Sequence, residues 1–207
     1  MARNRVIYQS EALFVSENAS SAAAAKHEQV ERVQSANFSY TINRQDVNQF
    51  GNLARIDSLV LDPPTVSVDF SYYLTDGFNE RALGFYVQNT GSSATVQANF
   101  ASGHMIGSSG KNIFIATAVE GTDINSDGAL TATDTVIGIG NAYVSDYSVD
   151  MSVGSLPTVS LSMEGANVRS VTNATAIGSP AVEQEAGTPL GYNVTLPTPT
   201  SGTSSPI

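Results

Sequence analysis

Cysteine is absent from all 207 residues. Without it there is no disulfide framework, zinc-thiolate centre or thiol nucleophile, and the redox compartment leaves no mark on the sequence. Basic residues are scarce: 9 Lys and Arg stand against 19 Asp and Glu, for a formal charge of −10. That balance argues against a surface made to grip phosphates. Charged residues of both signs amount to only 14%, while Ser, Thr, Asn, Gly and Ala are abundant, a composition closer to β-rich proteins than to helical enzymes. Long apolar runs are missing too. Met1-Ala-Arg-Asn-Arg5 leads into mixed residues rather than a signal-peptide stretch, and nothing approaches the roughly 20 apolar residues of a membrane span. The expectation is a chain that folds in the cytosol and does not enter a membrane. The sequons at Asn18, Asn37, Asn173 and Asn193 matter only in a secretory route and read as chance matches.

Catalytic motifs are equally thin. The histidines, His27 in an Ala-rich stretch and His104 in a Gly/Ser stretch, have no patterned partner and are expected to be solvated. Gly107-Ser-Ser-Gly110-Lys111 falls short of a phosphate loop, because Met105 occupies the place of the first glycine and Asn112 that of the Ser/Thr, so it reads as a turn. Gly138-Ile-Gly140 lacks the third glycine of a dinucleotide fingerprint, and no Gly-x-Ser-x-Gly elbow occurs. Asp146 and Asp150 share a strand face in a serine-rich, wet setting rather than a catalytic cleft. Together these absences predict a protein that is not an enzyme.

What is present is strand periodicity. The 41% hydrophobic content suffices for a core in one elaborated domain. Apolar clusters over residues 6–15 predict an N-terminal strand or pair of strands. Phe38, Tyr40 and Ile42 alternate with polar residues, as do Val66, Val68, Phe70 and Tyr72, each pattern predicting one buried face. Residues 46–61 pass from a polar turn into a further strand at Leu59-Val60-Leu61. Asp76-Gly77 is a turn signal, and residues 78–85 suit one helical turn. Val96, Ala98 and Phe100 alternate, and residues 113–119 suit a buried strand.

From Tyr143 the longest alternation sets Tyr147, Val149, Met151 and Val153 against Ser148, Asp150 and Ser152, and a turn at residues 154–157 leads into Val159, Leu161 and Met163. Many such strands joined by short turns predict a mainly β fold, an antiparallel sandwich or barrel with one short helix. Pro64-Thr-Val-Ser and Pro157-Thr-Val-Ser each open an alternating strand and read as a shared strand-entry device, with a true structural repeat as the alternative. Residues 1–170 are read as the β domain, with an Ala/Ser-rich insertion at 18–33. The Pro/Ser/Thr/Gly-rich residues toward the end make 171–207 an extended segment or linker.

One segment carries metal chemistry. Asp123, Asn125 and Asp127 fall at loop positions 1, 3 and 5, Gly128 at 6, the Ala129 carbonyl at 7 and Asp134 at 12. Alternate oxygen-bearing side chains converge on one point while glycine permits the sharp turn, which is what Ca²⁺ requires. The loop at 121–135 resembles those of dockerin modules, although no second copy is present. A metal-free polar turn remains the competing reading. Thr135-Val-Ile-Gly-Ile-Gly140 is poor helix material, so the loop is expected on β scaffolding, where calcium would staple it.

Residues 3–13 (Arg3-Asn-Arg-Val-Ile-Tyr-Gln-Ser-Glu-Ala-Leu13), 32–42, Asp46-Val-Asn-Gln-Phe-Gly51, Pro63-Pro-Thr-Val-Ser67 and the hairpin over 143–165 resemble major tail-tube proteins of long-tailed bacteriophages. The likeness spans roughly residues 3–15 and 30–170 and departs at the calcium-like loop and the Ala-rich segment. The resemblance implies a virion protein: six copies close into a ring, rings stack with other tail proteins into a hollow tube, and DNA passes through the lumen without specific binding. Asp146 and Asp150 are then expected to line that lumen. A capsid decoration or other head-associated virion protein is the alternative, followed by a calcium-stabilised surface binding module.

Overall fold

The computed structural model describes residues 11–17, 27–51, 54–62, 64–85, 110–118, 124, 134–171, 177–178 and 193–194. Within these, alternation and β-branched content produce antiparallel strands almost throughout, together with one helical turn. Along the chain run β1 (Glu11–Glu17), β2 (His27–Gln29), β3 (Val33–Thr41), β4 (Arg44–Val47), β5 (Asp57–Val60), β6 (Thr65–Tyr73), α1 (Phe78–Ala82), β7 (Lys111–Thr117), β8 (Thr135–Asp150), β9 (Thr158–Gly165) and β10 (Asn167–Val171). Two short strands, β11 (Ile177–Gly178) and β12 (Asn193–Val194), pair with each other.

The main sheet runs β2-β1-β7-β8-β9-β6-β3, with β10 also on β8. Its organiser is β8, 16 residues long. The first half of β8 pairs β7 and β10, and its second half pairs β9. Between the halves Asn141 turns to φ 54, a left-handed value that Asn tolerates well, and Asn112 Oδ1 accepts its backbone N–H at 3.3 Å. At this bend the chains crowd: a Cβ on Gly165 would lie 2.7 Å from Ile139 Cγ2, so any larger residue where β9 passes into β10 would force that side chain to shift. The bend folds one sheet into two layers, and the main core fills the space between them. Leu13, Val15, Ile113, Ile115 and Ile139 come from the first layer, and Val66, Val68, Phe70, Tyr72, Val159, Leu161 and Met163 from the second.

The first layer is buried on its other face as well. Ala12, Phe14, Phe114, Ala116 and Val136 form a second apolar cluster with Ala118 and Ile124. Gly138 stands opposite Phe114 in the β7–β8 ladder. The predicted buried strand at 113–119 is thus β7, and the predicted N-terminal strand is realised as β1; residues 6–10 lie outside the described residues.

α1 is held at the end of the core. Gly77, at φ 81, starts it, and Asp76 Oδ1 accepts the Phe78 N–H at 3.2 Å and the Thr75 hydroxyl at 3.1 Å. Those two donors, the Phe78 amide first, hold the Asp76 carboxyl below the ordinary range. Asn79 brackets the β2–β3 turn: the Glu31 N–H donates to its Oδ1 at 2.8 Å, and its Nδ2 donates to the Glu31 carbonyl at 2.9 Å. Glu80, 2% exposed, accepts the hydroxyls of Tyr72 at 2.8 Å and Tyr147 at 3.2 Å. One helical turn thereby ties β6, β8 and the β2–β3 turn together, its buried polar groups satisfied as burial requires.

The reading of His27 needs correction. His27 is not solvated in an Ala-rich insertion: it lies in β2, half-buried, with its ring edge-on to Phe114 at 6.3 Å. Tyr143 does not share a face with Tyr147. A register shift between Val144 and Asp146 resets the parity, placing Tyr143 beside Glu164 and 52% exposed.

Candidate assembly surfaces

The second layer, β3-β6-β9 and the far half of β8, is buried on one face only, and its register reads as rows. On the inner face Ala36, Phe70, Leu161 and Tyr147 align across the four strands. On the outer face Ser35, Ser71, Ser160 and Ser148 align in one row, and Asn37, Asp69, Ser162 and Asp146 in the next. The hydroxyls bond along these rows: Ser35 with Ser71 at 2.7 Å, Ser39 with Ser67 at 2.7 Å, Ser162 to Asp69 Oδ1 at 2.6 Å. Ser148 donates to the Ser160 carbonyl at 3.4 Å. Asp69, Asp146, Asp150 and Glu164 add negative charge to a face on which these four strands carry no Lys or Arg. Asp146 and Asp150 are both exposed there, about 13 Å apart along the strand at the usual rise per residue.

Beyond this face lies apolar surface with no cover. Phe38 and Tyr40 sit opposite Val68 and Val66, on the core side of β3, yet are 36% and 60% exposed. The sequence periodicity predicts their burial and is right about the face; β3 is the edge strand, and the core ends before reaching them. Ile42 continues the strip into the β4–β5 ribbon. There Val47, Ile56, Leu59, Val60 and Leu61 are each 38–57% exposed, and Phe50 at the tip is fully exposed. The ribbon's ion pair, Arg55 Nη1 to Asp46 Oδ1 at 3.0 Å, is itself solvent-exposed and contributes little stability. The β8–β9 turn adds Met151, Val153 and Leu156, all exposed. Residues 46–61, read from sequence as a turn and one strand, form a hairpin of two.

Of the predicted calcium ligands, Asp123, Asn125, Asp127 and Ala129 lie outside the described residues, as do His104 and the alternation at 96–100. Asp134 is described: it directly precedes β8 and is only 5% exposed. Lys111 opens β7 rather than closing a phosphate loop, and Gly138-Ile-Gly140 lies within β8. The sequence reading missed Glu80, whose signal is a carboxylate in the short stretch between Phe78 and Phe85. Burial and the Glu80 carboxylate push Tyr147 up to about 12, and burial first, then Glu80, pushes Tyr72 higher still. Among the described residues, no helix is long and apolar enough to cross a membrane.

No protein-family model matches the sequence, and no curated protein matches it. Solved structures do match in fold. A chain of the anti-feeding prophage baseplate, six-fold symmetrised, superposes with a TM-score of 0.50 at 12% identity over 83% of this chain and 97% of that one. A chain of the same prophage's tube-terminating cap gives 0.50 at 10% identity, over 83% and 94%. A chain of the SPP1 tail tube gives 0.48 at 13% identity, over 91% and 99%. The mainly antiparallel β architecture with one short helix is therefore similar to chains of the anti-feeding prophage baseplate and tube cap.

Proposed function

We propose that this chain is a non-enzymatic structural virion protein, the subunit of a phage tail tube whose hexameric rings stack into a conduit for DNA ejection. The observation that carries the reading is the bare apolar strip from Phe38 through the β4–β5 ribbon, set beside a hydroxyl-and-carboxylate sheet face. Fully burying a Val, Leu or Phe is worth about 1.5–3 kcal/mol. Several such side chains leave on the order of 10 kcal/mol unrealised in the single chain, comparable with the cost of association. An isolated two-stranded ribbon is marginal in water, so a ribbon with this composition is built to be covered. Fold similarity to chains of a six-fold symmetrised baseplate and a tube-terminating cap supports copies of the chain as the cover.

In such a ring the serine–carboxylate face lines the lumen. Its hydroxyls are already partnered along the rows, and its carboxylates repel phosphate within a Debye length of about 8 Å at physiological salt. DNA close to the wall is then pushed off rather than held. Negative-stain microscopy of the purified protein tests the reading: hollow tubes or hexameric rings support it, whereas stable monomers or trimers favour a capsid decoration protein. Charge reversal at Asp146 and Asp150 should slow DNA ejection; unchanged ejection with both residues mapped outside the ring removes the lumen assignment.

The calcium loop belongs to the same proposal as a staple on the β scaffold. Asp134, nearly buried at the mouth of β8, supports it by giving a carboxylate a fixed place at loop position 12. Millimolar Ca²⁺ should raise the melting temperature of the wild type and not of Asp123→Ala or Asp127→Ala; a wild type indifferent to Ca²⁺ overturns it.

A further inference from the structure

One polar row interrupts the outer apolar face of the first layer. The register sets Ser16 of β1 opposite His27 of β2 on one side and opposite Asn112 of β7 on the other. Directly paired residues share a sheet face, here the face of Phe14 and Phe114. Ser16 is 2% exposed and Asn112 0%. Ser16 Oγ, His27 Nδ1 and Asn112 Nδ2 are each buried, and none has a hydrogen-bond partner among the described residues. Buried polar atoms left in this state are rare in folded proteins, and three in one row call for a shared cause.

The register sets the three residues in line across three neighbouring strands. The His27 ring stands edge-on to Phe114, centroids 6.3 Å apart at 79°. Phe114 is on β7, so the imidazole reaches across β1. Asn112 commits its Oδ1 to the Asn141 N–H, leaving Nδ2 as the free donor. Burial holds His27 below its ordinary pKa, so at neutral pH the ring is uncharged and one nitrogen can accept.

We propose that this row binds one ordered water molecule. The water accepts from Asn112 Nδ2, donates to His27 Nδ1 and exchanges a third bond with Ser16 Oγ, the usual number for a buried water. An anion finds no positive charge in the row, and a cation finds no carboxylate and meets the amide donor. A Ser–His catalytic pair is excluded by burial and by the lack of a bond between Ser16 Oγ and His27 Nδ1. The water fastens the three-residue strand β2 to β1 and β7, independently of how the chain assembles.

A high-resolution map of the wild-type protein tests this directly. The expected result is one water within about 2.7–3.2 Å of all three atoms. An ion at that point, or Asn112 Nδ2 and His27 Nδ1 bonded directly to protein atoms with no water between, overturns it. Thermal melts give a second readout: Ser16→Ala, His27→Phe and Asn112→Leu should each lower Tm, because each strands the remaining partners. The triple variant, with nothing left to strand, should lose less than the three shifts added together. Strictly additive shifts count against a shared water.

Discussion

The β1–β7 ladder and the β4–β5 ribbon are both antiparallel pairs rich in apolar side chains, and they finish in opposite environments. Phe14 faces Phe114 and Val15 faces Ile113, all at 0–1% exposure, because cover lies above and below. In the ribbon Leu59 pairs with Gln45 and Val60 with Arg44, and both apolar side chains remain 54% exposed. Pairing satisfies the backbone in both cases. Burial needs another layer, which the chain supplies to the first pair and, among the described residues, not to the second.

The comparison makes predictions that descend in size. Phe114→Ala empties a fully buried site and should cost about 3–5 kcal/mol in denaturant unfolding; a loss under 1 kcal/mol would mean that the outer face of the first layer is loosely covered. Tyr72→Phe removes one of the two hydroxyls on buried Glu80 and should cost about 1–3 kcal/mol by the same measurement.

Alkaline melts sharpen the contrast further. Tyr147 keeps its proton in the fold up to about 12, whereas an unfolded tyrosine loses it near 10. Its contribution is complete below pH 10, and stability should fall as pH rises from 10 toward 12, since the unfolded state then binds fewer protons. Tyr147→Phe should flatten that fall. The smallest effect belongs to the ribbon: Leu59→Ser with Leu61→Ser should change the stability of the dispersed chain by no more than about 0.5 kcal/mol while abolishing assembly seen by microscopy. A substantial loss of monomer stability would show that the ribbon packs on its own subunit and would break the comparison.

Period-two patterning made β6 and β9 legible, and with them the shared Pro-Thr-Val-Ser openings. Those openings lead into strands that pair with each other, with Tyr73 opposite Thr158. It also identified the wet face bearing Asp146 and Asp150. It could not reveal Glu80, because a buried carboxylate is recognised by partners that lie 8 and 67 positions away in sequence. Nor could it place the polar row of Ser16, His27 and Asn112, which exists only once three strands lie side by side.

The sequence by itself determined that this is a mainly β chain, and which side of each strand is apolar, because side-chain alternation is a local property of the extended backbone. Whether an apolar face becomes core or surface was decided by the tertiary structure alone. Phe38 and Phe70 both present themselves to the core side of the second layer; the edge position of β3 leaves the first exposed, while β6, flanked on both sides, buries the second.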